Sequence, residues 1–194
     1  MDDIKIKKRL VIGMSGASGA ILGIKMLEIL KQFSEWETHL IISRGAELTI
    51  EAETDYSVEQ VKSLAYRVYD YKNIGESIAS GTFKTEGMVI IPCSMKTIAG
   101  VASGYSDNLL LRAADVTLKE ERKLILVARE SPLNLIHLRN MTSCTEAGAT
   151  ILPPMITYYN KPISIDDMNF HIVAKILDKF EIEVKGFKRW GENH

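Results

Sequence analysis

A doubly wound α/β fold with a mainly parallel sheet is the architecture this sequence predicts, and three observations predict it. Apolar runs of strand length recur as "RLVIGM", "THLIIS", "GMVIIPC", "KLILVA" and "ATILPP". Segments with helical periodicity separate them, and strands alternating with helices argue for parallel pairing. The runs are nearly continuous rather than alternating, so helices should cover both faces of the sheet. With 194 residues, the expectation is one domain spanning 1–194. A domain of that size buries roughly 70% of the surface its unfolded chain exposes.

The first run leads into "GMSGASGAILG", residues 13 to 23, a glycine-rich turn. After it, Ile21, Ile24, Leu27 and Leu30 fall at helical spacing, while Lys25, Glu28 and Lys31 are free to face water. Strand, turn and helix together make an anion site, because unpaired N–H groups and the positive helix end point the same way. The spacing of Gly13, Gly16 and Gly19 is G-x-x-G-x-x-G, which matches neither a dinucleotide fingerprint nor a P-loop. The second strand ends in Ser43-Arg44, where an NAD site would place an acidic residue. The glycines could also serve close helix packing alone; Ser15 and Ser18 favour a ligand.

Farther on, "SVEQVKSLA" reads as a capping box opened by Ser57 with Gln60 three residues later. The segment "YRVYDYKNIGESIASGTFKTEG" has weak periodicity and reads as a long surface connection. A second ligand-facing turn follows the third core strand as "IIPCSMKTIAG", where Ser94, Lys96 and Thr97 supply hydroxyls, a cation and a helix start. Turns after successive strands can line one crevice. Arg112 and Lys119, seven residues apart, share a helix face. Arg129 and Glu130 follow the strand "KLILVA". These four charges could converge on a phosphate-sized pocket or could simply form solvated faces and ion pairs. In "LPPMITYYNKP", Pro153 and Pro154 stop strand pairing, and one of Tyr158 and Tyr159 could floor a pocket.

Composition narrows the function. Hydrophobic residues make up 46%, charged residues 25%, and the net charge is -1, which suggests a soluble globular protein without a nucleic-acid footprint. Cys93 and Cys144 form no C-x-x-C pair, so neither a disulfide framework nor a zinc ribbon is signalled. Cys93 could pass for a nucleophile, but a small buried cysteine is the commoner role. His39, His137, His171 and His194 show no metal-ligand spacing and read as satisfied structural histidines. The start "MDDIKIKKRL" lacks an apolar signal region and no run approaches 18 apolar residues, so the expected location is cytoplasmic, away from any membrane.

Taken together, "GMSGASGA", "IISRGAELTIEAETD", "IASGTF", "IPCSMKT", "NLLLRAADVTLKEERKLILVARESPLNLIHLRNM", "ILPPMITYYNKP" and "RWG" resemble the UbiX-type flavin prenyltransferases, in the subgroup associated with phenolic-acid decarboxylases. The order and spacing of the motifs, from about residue 9 to residue 191, make the match specific. The resemblance implies a Rossmann-like or flavodoxin-like flavoprotein that moves a dimethylallyl group from dimethylallyl phosphate to reduced FMN without a metal. The prenylated flavin would serve a UbiD-type decarboxylase. Position by position it implies FMN contacts from Gly16, Ala17, Ser18, Ser43, Ser94, Met95, Lys96, Thr97 and Arg129, with Ser18 near the reacting flavin nitrogen. For the allylic phosphate it implies Arg112, Lys119, Arg129, Glu130, Tyr159 and Lys175. Glu53 and Glu130 would handle protons, and Ser18 and Lys119 complete the catalytic set.

Lys175 departs from the family, where many relatives have arginine; lysine keeps the charge and loses the bidentate fork. This leaves the choice between monophosphate and diphosphate open. The family also implies a homo-oligomer, typically a dodecamer, with sites at subunit contacts and a tail from about residue 185 packed on a neighbour. Trp190 would either join that contact or cover its own helix. Two other readings stand beside the prenyltransferase. An FMN-dependent cysteine decarboxylase would need a "PASANT"-like turn and a catalytic histidine, whereas this chain has "PCSMKT" and no histidine between His39 and His137. A non-enzymatic FMN carrier or accessory subunit would leave the Arg112, Lys119, Glu130 and Lys175 set unexplained.

Overall fold

The computed structural model describes residues 7–191; His194 and the first six residues of the charged start lie outside them. Among the described residues, β1 (Lys8–Met14), β2 (Trp36–Ile42), β3 (Arg67–Tyr69), β4 (Gly87–Cys93), β5 (Lys123–Ala128) and β6 (Thr150–Ile151) form one sheet. Its order is β3-β2-β1-β4-β5-β6 and every pairing is parallel. The helices are α1 (Ala20–Leu30), α2 (Arg44–Glu53), α3 (Val58–Lys62), α4 (Met95–Ser103), α5 (Leu109–Lys119), α6 (Leu135–Glu146) and α7 (Ile165–Asp178).

The two-residue period of the strands sorts the core onto two faces. Leu10, Ile12 and Met14 join Ile24 and Leu27 of α1 and Val173 and Leu177 of α7 on one face. Val11, Met88 and Ile90 join Ile98 of α4 and Leu110 and Ala114 of α5 on the other. Leu10, Ile12 and Met14 are wholly buried, and such burial stabilises by about 1.5–3 kcal/mol per side chain. Continuous apolar strands and helices on both faces are therefore one fact seen twice. The chain leaves β1 toward one edge of the sheet and β4 begins the other half, so the β1/β4 junction is the topological switch point where open α/β sheets bind ligands.

Two sequence expectations are corrected. The segment read as a surface connection contains β3, whose Arg67–Tyr69 backbone pairs with His39–Ile41 of β2, and a 3-10 turn at Ser77–Ala79. A three-residue strand is too short to show a period, and its exposed Arg67 and Val68 suit a sheet edge. On α1, Lys25 pairs with Asp166 at 2.5 Å and Glu28 accepts from the Tyr56 hydroxyl at 2.6 Å, so both are partly covered by neighbouring elements. The Ser57/Gln60 capping box is present in full. No helix among the described residues is long and apolar enough to cross a membrane.

Candidate functional site

A cleft of about 580 Å³ opens at the carboxyl ends of β1, β2 and β4, within the size range of small-molecule sites. Ser15 and Gly16, Ser43 to Gly45, and Ser94, Lys96 and Thr97 line it, with Asn108 and Leu111 from the start of α5. The walls are tied together beneath the surface. Ser15 donates through N and Oγ to the Pro92 carbonyl, at 3.2 and 3.1 Å, and its Oγ accepts from the Ser94 N–H at 2.8 Å. The Ser43 N–H donates to the Met14 carbonyl at 3.0 Å. The turns after β1, β2 and β4 are thus one hydrogen-bonded unit.

Glycine at two positions is a steric requirement. A Cβ on Gly16 would lie 2.9 Å from the Gly45 Cα, a backbone approach that no side chain permits. Gly19 caps α1 at φ +100, in the left-handed region that favours glycine. Gly23 fills the packing role: a Cβ there would meet the Ile91 carbonyl oxygen at 2.6 Å. Close packing therefore accounts for Gly16 and Gly23, and backbone conformation for Gly19.

The anion site expected at the start of α1 is already filled from within. Glu53, at the end of α2, accepts from the N–H groups of Gly19 at 2.8 Å and Ala20 at 3.3 Å. The starts of α2 and α4 differ. Ser43 Oγ accepts from the Ala46 N–H and Ser94 Oγ from the Thr97 N–H, which leaves the N–H groups of Arg44, Gly45, Met95 and Lys96 without intrahelical acceptors. A serine hydroxyl that accepts a capping bond still has its own proton to donate outward. Ser94 Oγ and Thr97 Oγ1 are 3.1 Å apart, so one donates to the other and the second faces out. The cleft is thus lined by several donors and two positive helix ends.

Among the other expected flavin contacts, Ala17 is buried in the turn, Ser18 is half-buried beside it, and Met95 opens α4 with its side chain buried. Arg129 stands exposed at the end of β5, its N–H on the Cys93 carbonyl at 3.0 Å. Glu130 beside it accepts from the Ser131 N–H at 3.0 Å. Of the two readings of the four charges, the structure favours ion pairs for Arg112 and Lys119 within the chain. Arg112 lies one residue beyond the cleft-lining Leu111 and pairs with Asp115 at 2.6 Å. Lys119 ends α5, roughly 16 Å from its start at 1.5 Å per residue. There it pairs with Glu120, whose second neighbour Arg122 donates to the Gly81 and Phe83 carbonyls that precede β4. Lys119 therefore sits at the amino ends of the strands, opposite the cleft. Equal spacing puts two residues on one face but says nothing about height along the helix.

Tyr159 and Lys175 form a separate group around α7. The Tyr159 hydroxyl is 3.0 Å from His171 Nε2, and Lys175, exposed, follows one turn later. Burial first, then the Lys175 charge, pushes the His171 pKa below its ordinary value. Trp190 stands edge-on to Tyr159 with ring centroids 5.4 Å apart while remaining 81% exposed. Burial raises the Cys93 thiol well above its usual range, which removes the thiolate a nucleophile needs. Sequence reasoning missed Gly45, Tyr71, Tyr105 and Asn108 as lining residues. Of these, Asn108 carried a readable signal, as an N-cap before an apolar run.

The comparisons with known proteins agree with this geometry. The family described as Flavoprotein matches residues 2–180. The flavin prenyltransferase UbiX of Thauera aromatica is 52% identical over 185 residues, covering 95% of each chain. Among solved structures, AnUbiX (PadA1) in complex with FMN and dimethylallyl pyrophosphate superposes with a TM-score of 0.94 at 46% identity, covering 97% of this chain and 100% of that one. The dodecameric FMN-dependent UbiX-like decarboxylase from Escherichia coli O157:H7 gives 0.93 at 47% identity, covering 95% and 100%. With identity at this level over nearly the whole length, a parallel sheet and a capped cleft at its switch point, the chain belongs to the UbiX-type flavin prenyltransferase family of flavoproteins.

Proposed function

We propose that this protein transfers a dimethylallyl group from dimethylallyl phosphate to reduced FMN, producing a prenylated flavin for a UbiD-type decarboxylase. The observation that carries this is the pair of serine-capped helix starts at Ser43 and Ser94, which line one cleft. That donor set fits the phosphate of FMN, and the close Gly16–Gly45 contact holds the turns after β1 and β2 together beside it. When bound, reduced FMN supplies the nucleophilic ring nitrogen that accepts the prenyl group.

The chain's own residues do the rest. Gly16, Ala17 and Ser18 form the wall beside the flavin ring; Ser43, Ser94, Met95, Lys96 and Thr97 hold its phosphate end. Arg129 would contact both ligands, and Glu130 next to it would take or return a proton at the departing phosphate. Glu53, anchored on the α1 amides, keeps a carboxylate beside Ser18 for proton handling. Developing negative charge on a leaving phosphate is stabilised by preorganised cations, each contact amounting to about 3 kcal/mol in comparable sites. Arg112, Lys119, Tyr159 and Lys175 meet that need in a homododecamer, where one subunit's Lys119 reaches a neighbour's cleft and the tail from about residue 185 lies on a neighbouring subunit. The apolar side chains exposed on the single chain support such contacts, including Ile136, Met155, Tyr158, Ile163 and Ile165. The cell compartment that suits this chemistry is the cytoplasm.

The test is to mix the protein with anaerobically reduced FMN and dimethylallyl phosphate and weigh the released flavin. A gain of one C5 unit is the expected result. Bound but unmodified FMN, with both the monophosphate and the diphosphate, would instead make the protein an FMN carrier.

A further inference from the structure

Behind Tyr159 lies a buried histidine that none of the roles above uses. His171 is 4% exposed on the inward side of α7, whereas Tyr159 is 37% exposed. The Tyr159 Oη and His171 Nε2 are 3.0 Å apart, and the two rings meet edge to face at 5.4 Å and 81°. Phe187 closes the other side of the imidazole at 5.0 Å. One end of this hydrogen bond is thus fixed in packed surroundings and the other reaches the surface. Burial and the Lys175 charge both favour the neutral ring.

A neutral imidazole carries one N–H, and which nitrogen holds it decides what the phenol can do. With the proton on Nδ1, Nε2 accepts, the phenolic O–H turns inward, and Tyr159 presents lone pairs to an incoming anion. With the proton on Nε2, the histidine donates to Oη and the phenolic proton is free to point outward. In the second arrangement alone, Tyr159 is a donor to phosphate.

We propose that His171 is a positioning residue for the prenyl donor: its Nε2–H, donated to Tyr159 Oη, turns the phenolic O–H toward the phosphate of the allylic substrate. The inference rests on the reading of Tyr159 as a phosphate contact in the prenyltransferase.

The experiment uses the assembled protein loaded with oxidised FMN, which does not accept the prenyl group, and titrates it calorimetrically with dimethylallyl phosphate. His171→Phe keeps the ring and removes the donor; with the phenolic O–H no longer held toward the phosphate, it is expected to weaken binding of the allylic phosphate about fivefold, the range of a lost neutral hydrogen bond. FMN affinity should stay within about twofold. Tyr159→Phe should show a similar loss, and the double variant no more than Tyr159→Phe alone, since both break one chain of contacts. His171→Gln, whose amide N–H reaches the same point, should restore most of the affinity, whereas the shorter His171→Asn should not; this pair decides the matter if His171→Phe fails to assemble. Binding by His171→Phe within twofold of the unaltered protein, or losses that multiply in the double variant, would overturn the positioning role. If the unaltered protein binds FMN and takes no dimethylallyl phosphate, the prenyltransferase reading fails and this inference with it.

Discussion

At Gly16 the site depends on the absence of a single carbon atom. An added Cβ would press on the Gly45 backbone at 2.9 Å, and backbone cannot swing aside as a side chain does. Gly16→Ala is expected to cost about 1–3 kcal/mol of stability through overpacking and to lower FMN affinity at least tenfold, read by quenching of flavin fluorescence; unchanged affinity would remove this approach from the cradle. Glu53 makes a different kind of prediction. A glutamine there keeps an acceptor oxygen for the Gly19 and Ala20 amides and loses only the charge. Glu53→Gln should therefore bind FMN as before while turnover drops on the order of 100-fold, the range typical of a lost proton-transfer group. Equal turnover would take Glu53 out of the mechanism. At this scale the sequence was informative about Ser94 and Thr97, because hydroxyls at a helix start are a local feature, whereas Ser43 came from the family resemblance alone. The sequence was silent on Glu53's occupation of the α1 start, a contact across 34 positions that spacing cannot encode.

Among the elements, β3 shows what local reading loses. Its three residues carry no period, and it is held by a buried polar group that appears once β2 lies beside it. His39 Nδ1 and the Tyr69 hydroxyl are 2.8 Å apart, and that hydroxyl lies 3.1 Å from Ser77 Oγ. Among the described residues His39 Nε2 has no hydrogen-bond partner, the Glu37 carboxylate at 3.9 Å being too far. The expectation of satisfied histidines thus holds for His171 and only halfway for His39. Burial lowers the His39 pKa to about 4, with Glu37 opposing and Arg9 and Arg67 reinforcing the shift. An unfolded histidine takes up its proton near pH 6.5. As pH falls from 6.5 toward 4, the unfolded chain binds a proton the folded one refuses, and stability falls by about 3 kcal/mol over the window. Urea unfolding at pH 7 and pH 4.5 should show a larger loss for the unaltered protein than for His39→Gln; equal losses would contradict the assignment.

The whole molecule explains why the charged set could be named from sequence and not assembled from it. The alternation of apolar strands with amphipathic helices fixes a parallel sheet and hence a cleft at its switch point. That same topology sends α5 away from the cleft, carrying Lys119 to the amino ends of the strands, so a phosphate site containing Lys119 needs a second subunit. Lys119→Ala should lose on the order of 100-fold in turnover with FMN affinity kept. Co-expressed with Gly16→Ala, it should recover turnover well above either variant alone, because some clefts then pair an intact cradle with an intact lysine from a neighbour. Inactivity of the mixed oligomers would mean that each chain supplies its own lysine. The most direct measurement is a crystal structure of the oligomer with FMN and dimethylallyl phosphate bound. The account predicts the flavin phosphate between the starts of α2 and α4, on Ser43, Ser94 and Thr97, and the allylic phosphate beside Arg129 and a neighbouring subunit's Lys119. A flavin phosphate at the start of α1 in place of Glu53, or an allylic phosphate enclosed by one chain, would contradict it.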